Sequence, residues 1–377
     1  MFDADQRLAR RAFLARTGAG AVALTGLPAV LAACGGDDSN STSSSATPAP
    51  ADLKGTIKFS NYPGWIGKRT IPQFEQAYPN VKVDVDEDAG SFLQLTAKLK
   101  AQPGLYDMAL ASSNEIPRAI ALGVAQEFDF SKMPHVKLID PKFLQEPVSK
   151  QGDYLVPTDY GKTGIAIRTD LVTDSIEGWN DLWRVAPKYK GKIYWYDFPT
   201  ELVANALFKL GYPIDEKDPA KVAQAGDALK QIKPYIGNLG TSGIGAALVN
   251  GNAAIALTYD YDAYAAKQKN PKIDFIVPKE GASGYLEGWV ALKGNDIQPE
   301  VEAFADYTLR PKLYADFVRA NSTAFTIPSA TKYLPKSLST SPILFPPKDV
   351  LDRVHFQVYL GEAQKEWDKA YTEFKAA

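Results

Sequence analysis

The apolar run "NAAIAL" (Asn252–Leu257) ends directly in "TYDYDAY" (Thr258–Tyr264), which sets Tyr259, Tyr261 and Tyr264 beside Asp260 and Asp262. Aromatic faces attract cations, with about 0.5–2 kcal/mol per contact depending on desolvation. Carboxylates add charge-assisted hydrogen bonds to ammonium groups, stronger than neutral ones. Rings lying along methylene groups while acids fix charged ends would suit an aliphatic amine. The same residues also read as a helix start, with Asp260 or Asp262 capping "DAYAAKQK" and the tyrosines covering a sheet edge. Other strand ends carry the same mixture. "NYPGW" (Asn61–Trp65) follows the first strand, where α/β sheets bear their ligand loops. "YWYDFPTEL" puts Asp197 at a strand end and Glu201 in a first helical turn. "GYLEGW" sets Tyr285 and Glu287 two apart, on one face of an extended segment. Together these four strand ends point to a pocket for a cation.

Catalytic patterns are sparse. The two histidines, His135 and His355, are far apart, and Cys34 is the single cysteine. There is no G-x-S-x-G elbow, phosphate-cradling glycine loop or H-E-x-x-H. Only carboxylates could ligate a metal, and no cofactor or metal is expected. A carboxylate pair could hydrolyse a glycoside, but spacing nominates no pair. A binding protein, not an enzyme, is the expectation.

The elements that must position these residues alternate. "TIKFSNY" reads as a strand, "TIPQFEQAYPN" as a short helix stopped at Pro79, and "VKVDVDED" as a strand of period two. "SFLQLTAKLKAQPG" reads as a helix capped by Ser91, followed by the strand "YDMALASS" and the helix "EIPRAIALG". This order indicates an α/β domain with a largely parallel sheet. "YLVPTDYGKTGIAIRTDLV" (Tyr154–Val172) looks like a crossing into a second α/β unit, and "SGYLEGWVALKG" (Ser283–Gly294) like the crossing back. The C-terminal portion reads as helical.

Of the 377 residues, the first 54 stand apart. Arg10 and Arg11 precede Phe13 and Leu14, as in a twin-arginine export signal, and an uncharged stretch from Thr17 to Ala33 follows. It is too short and weakly apolar for a membrane span. It ends in Leu31-Ala32-Ala33-Cys34-Gly35, which looks like a lipobox with Cys34 as the lipidation site. Residues 1–33 are thus expected to be an export signal, and residues 34–54 a lipid-anchored, flexible tether on the periplasmic side of a bacterial membrane. The charge is -2 for the whole chain; losing four Arg and two Asp with residues 1–33 leaves -4. Nothing is basic enough to suggest nucleic acid. The remaining residues, some 320 of them by this reading, are natural for two lobes.

The chain resembles the spermidine/putrescine-binding proteins of bacterial polyamine ABC transporters. The resemblance runs from about Thr56 to Gln357. It is carried by "IKFSNYPGW", "YDMALASS", "YLVPTDYGKTGIAI", "WNDLW" with "KYKGKI", "ALFKLGY", "IDFIVPKEG" and "YTLRP". It implies a two-lobed, type II periplasmic-binding-protein-like α/β fold closing on its ligand like a hinged clamp. Residues 55–160 and about 288–345 would form lobe 1 and about 161–287 lobe 2, with 346–377 packing across both. The partners implied are a polyamine, putrescine or spermidine, and a permease with its ATPase; the binding protein itself would be a monomer.

Carried over by position, the resemblance assigns Tyr62 and Trp65 as the first aromatic pair, Ser112 on the loop after "YD", and Glu201 as the helix-start acid. It assigns Tyr259 with Asp262 on the second lobe, Tyr285 with Glu287 on the crossing, Phe325 as a late aromatic and Gln357 as a C-terminal contact. Five positions depart from it. Pro63 and Gly64 stand where an acid or hydroxyl residue is usual, so one ammonium anchor is missing. Glu287 replaces an Asp. Asp159 and Lys162 are foreign to the pattern; Lys162 is expected to face solvent, the alternative being that it neutralises a pocket acid or meets a ligand carboxylate. That alternative would favour a zwitterionic amino-acid derivative; a sugar and the carboxylate hydrolase are the other rivals.

Overall fold

A computed structural model describes residues 50–88, 92–145, 153–294 and 296–377. The expected export signal, Cys34, all but the last residues of the tether and the Ser91 cap lie outside the described residues. Twelve strands are described: β1 Gly55–Ser60, β2 Val81–Asp86, β3 Met108–Ser112, β4 Ala125–Gln126, β5 Val156–Arg168, β6 Ile193–Tyr196, β7 Ile236–Gly240, β8 Ile255–Tyr259, β9 Ile273–Ile276, β10 Ala282–Leu292, β11 Ala324–Phe325 and β12 Val354–Phe356. Their hydrogen-bonded order is β2-β1-β3-β10-β5-β8-β6-β7, with β4 and β12 on β10 and β9 and β11 on β5.

Two parallel α/β sheets meet in this path. β1 pairs in parallel with β2 and β3, and β6 with β7 and β8. Between them run the two crossings expected from the sequence. β5 pairs with β10 up to Lys162 and with β8 from Thr163 onward. β10 pairs with β3 from Glu287. One 13-residue strand therefore serves both sheets, and it is buried along nearly its whole length. A strand covered on both faces needs no polar alternation, which makes the polar residues Asp159 and Lys162 within it anomalous.

Proline starts several helices. Pro199, Pro219 and Pro311 each open one, where the missing N–H costs nothing. Asp218 caps its helix by accepting from Ala220 N–H at 2.9 Å. One apolar cluster fills the first sheet and extends onto the helices Ile244–Asn250 and Asp260–Lys269; a second fills the opposite side of the second sheet around Trp179, Trp195 and Leu207. Within the segment 346–377, β12 lies on β10. The final helix, Gln364–Ala376, does not pack across both lobes as expected. It buries Trp367, Ala370 and Phe374 in the second cluster, against the helices Pro199–Lys209 and Pro219–Ile232, because its apolar stripe fits that side only. No helix among the described residues is long and apolar enough to cross a membrane.

Candidate functional site

The crossing strands build the site. Side chains two apart on a strand share a face, so Asp159, Gly161 and Thr163 of β5 lie on one side, as do Ser283, Tyr285 and Glu287 of β10. Register aligns them: Glu287 pairs with Asp159 and Tyr285 with Gly161. The row continues outward, Glu287 opposite Ser112 on β3 and Asp159 opposite Phe325 on β11. Four positions on four strands thus form a polar and aromatic line across the junction. A Cβ at position 161 would collide with the Tyr285 hydroxyl, so glycine there lets the tyrosine lie flat across the neighbouring strand.

At one end of this face stands Glu201, buried in the first turn of its helix. Thr163 Oγ1 donates to Glu201 Oε2 at 3.2 Å, and Gln357 Nε2 donates to Glu201 Oε1 and, at 3.2 Å, to Ser283 Oγ. Burial pushes its pKa up to about 7, against the pull of the Ser283, Thr163 and Gln357 hydrogen bonds. Asp159 and Glu287 stand at the other end. The four residues from Asp159 to Thr163 at ~3.3 Å each separate the two ends by roughly 13 Å along the strand. Asp159 is fully buried and accepts from Thr158 Oγ1 at 2.9 Å and Thr323 Oγ1 at 3.2 Å. Burial raises its pKa to about 7. Glu287 is pushed well above the usual carboxylate range by burial first, then by the charges of Asp159 and Glu115. Among the described residues no Lys, Arg or His forms an ion pair with Asp159, Glu201 or Glu287.

Rings line the space between. Tyr259 stacks on Tyr261 with centroids 5.4 Å apart and meets Tyr285 edge-on at 5.5 Å. Tyr261 in turn meets Trp65 at 5.5 Å, joining the loop after β1 to the helix after β8. Tyr196 and Phe198 pack on the outer side of Tyr259. Burial, followed by the charge of Glu287, drives the Tyr62 pKa well above its ordinary value, which sets that ring against the acidic end. Tyr62, Tyr259, Tyr261 and Glu287 keep part of their surface accessible although they are deeply enclosed, as side chains facing an internal space do. Two polar atoms here are buried without a hydrogen-bond partner: Tyr285 Oη and Trp65 Nε1. The Trp65 indole lies close enough to Asp159 to lower its pKa.

The structure therefore brings together Tyr62, Trp65, Ser112, Glu201, Tyr259, Tyr285, Glu287, Phe325 and Gln357, with Phe325 packed on Phe345 at 4.9 Å. Asp262 is turned elsewhere. It accepts from Thr258 Oγ1 at 2.8 Å and from the Gly245 N–H, capping the helix Ile244–Asn250. The helix begins at Asp260, two residues before the "DAYAAKQK" start. Asp197 is held by Tyr371 Oη at 2.8 Å and Lys375 Nζ at 2.6 Å. Lys162 does not face solvent as expected. It is 2% exposed and donates to Asp260 Oδ2 at 2.7 Å and to the Leu344 carbonyl at 3.2 Å, because a lysine inside a doubly covered strand must find a buried anion. Sequence reasoning did not assign Asp159, Thr163 or Ser283 to the site, and placed Tyr261 in the aromatic and acidic run without naming it as a contact. Period-two spacing around Gly161 and Tyr285 would have found the first three. Among the described residues no group of His, Cys, Asp and Glu is arranged to hold a metal ion.

The chain matches the model of the bacterial extracellular solute-binding protein family over residues 70–346. It is similar to the spermidine/putrescine-binding periplasmic protein 1 of Haemophilus influenzae, 24% identical over 361 residues that cover 95% of this chain and 99% of that protein. The spermidine/putrescine-binding periplasmic protein of Escherichia coli is 26% identical over 333 residues, covering 87% of this chain and 94% of its own length. Among solved structures, the spermidine/putrescine ABC transporter substrate-binding protein PotD of Streptococcus pneumoniae superposes with a TM-score of 0.74 at 22% identity, covering 85% of this chain and 98% of that one. It shares the fold.

Proposed function

The chain belongs to the bacterial extracellular solute-binding protein family, and from that premise we propose that it captures a polyamine and delivers it to an ABC permease. The observation that carries this reading is the set of three enclosed carboxylates, Glu201, Asp159 and Glu287, that no cationic side chain among the described residues neutralises, in a space walled by tyrosines. An apolar ligand would leave those charges uncompensated, at a cost of several kcal/mol per ion. A ligand with ammonium groups at both ends and methylenes between them satisfies both the acids and the rings. The names of the relatives from Haemophilus influenzae and Escherichia coli point the same way. Glu201, steadied by Thr163 and Gln357, would hold one end, and Glu287 the other. Tyr259 and Tyr285 would flank the chain between them, Tyr62 and Trp65 would close over it, and Ser112 and Phe325 would edge the far end. Asp262 would act at longer range, through the helix start it caps.

The zwitterion reading required Lys162 to meet a ligand carboxylate, and that ammonium is taken by Asp260. No group is poised for catalysis by this reading: the site binds and releases its solute unchanged. Cys34 as a lipid anchor on the outer membrane face and a monomeric working state complete the proposal. A thermal-shift panel of di- and polyamines, amino acids and sugars tests it. Stabilisation by amines alone supports the reading; stabilisation by a sugar or a neutral amino acid, without any by amines, overturns it.

A further inference from the structure

Asp159 is a carboxylate in an unusual position. It lies inside a buried crossing strand, directly opposite Glu287 in the β5–β10 ladder, with no surface exposed. Thr158 and Thr323 fix its two oxygens, so its place is set before any ligand arrives. Among the described residues no cation neutralises it. Glu287 faces it from β10 and Asp260 from the helix after β8; Tyr62 and Tyr314 approach from two further elements, and none of these is cationic. Lys162, three residues along the same strand, is spent on Asp260. Glu287 is faced besides by Glu115. Tyr285 Oη, 93% buried by its residue exposure of 7%, has no hydrogen-bond partner and lies within the fields of Asp260, Asp159 and Glu287.

We propose that Asp159 and Glu287 together form a two-carboxylate seat for one ammonium group of the ligand, with the Tyr285 hydroxyl completing it. This rests on the polyamine reading. Two buried carboxylates side by side cannot both stay ionised without a cation. In the ligand-free protein the pair therefore holds one proton. When the ammonium group enters, its charge replaces that proton's, both carboxylates ionise, and the proton leaves to solvent. Asp159 so supplies the seat with its second carboxylate. It also couples capture to pH: amine is held more tightly as pH rises.

The test is calorimetric titration of putrescine into the wild type and Asp159→Asn, at about pH 8 and about pH 6. The variant is expected to bind about tenfold or more weakly at the higher pH. Its affinity should also change less between the two pH values, because the shared proton is gone. Its ligand-free melting temperature should hold or rise, since an uncompensated buried charge has been removed. Wild-type affinity and wild-type pH dependence in the variant would overturn the seat while leaving the polyamine reading intact. No amine binding by the wild type would overturn both. If Asp159→Asn does not fold, Glu287→Gln gives the answer. With Asp159 still seating an ammonium group, it keeps the wild type's preference for putrescine over 1-aminobutane; loss of that preference overturns the proposal.

Discussion

Two acids of the hinge region invite comparison. Asp260 and Asp159 are both completely buried; Asp159 lies within the crossing strand β5, and Asp260 contacts that strand through Lys162. Asp260 has a cation, Lys162 Nζ at 2.7 Å, itself bonded to the Leu344 carbonyl. Asp159 has two threonine hydroxyls and a second carboxylate opposite. Burial raises the pKa of both; Lys162 pulls Asp260 back down, whereas the neighbouring negative charge of Asp260 pushes Asp159 higher. The first arrangement is self-contained and ties β5 to the second sheet's helix. The second is incomplete until a cation is supplied. Buried charge in one small region thus divides into structural and functional kinds by whether the chain provides the counter-ion.

Variants sharpen that division. Lys162→Met should have the largest effect, stranding Asp260 at a cost of about 3–5 kcal/mol of folding stability. Denaturant unfolding would read this, and the loss should shrink in mild acid as Asp260 takes up a proton. Glu201→Gln should leave stability nearly unchanged and weaken polyamine binding by about 1.5–3 kcal/mol, the worth of a hydrogen bond to a charged group, seen by calorimetry. Tyr259→Leu should cost about 0.5–2 kcal/mol of affinity through the lost cation–π contact, with diamine and triamine both affected.

The smallest effect is one of pH on the empty protein. Asp159 and Glu201 have folded pKa values of about 7, raised by burial above their unfolded values. The folded state binds more protons than the unfolded state between those limits, so these groups favour folding in mild acid and lose that contribution as pH rises through about 7. Ligand-free melting temperature should therefore rise as pH is lowered from about 8 to about 6, while polyamine affinity falls. Parallel trends in the two would contradict the assignment.

Much of this was legible in the sequence. The alternation of strand and helix, both crossings, and the aromatic-x-acid of Tyr285 and Glu287 follow from local periodicity, and the structure has them where the pattern put them. Glu201 in a first helical turn followed from Pro199 and the preceding strand. Side-chain direction was less legible. Asp262 sits beside the rings in sequence but turns to cap a neighbouring helix, a contact fixed by how the helix Ile244–Asn250 approaches. Lys162 and Asp159 could not be sorted into paired and unpaired, because their partners come from residues about 100 or more positions away in the chain. The final helix carried an apolar stripe but no sign of which core would receive it.

The central claim is that enclosed acids with no counter-ion among the described residues select a ligand charged positively at both ends. Calorimetric titration of the folded chain with putrescine, spermidine and 4-aminobutyrate, at about pH 8 where the acids are ionised, tests it most directly. One polyamine bound per chain, with no heat from the zwitterion, is the result expected. Binding of 4-aminobutyrate as tight as that of either polyamine, or no polyamine binding at all, would contradict it.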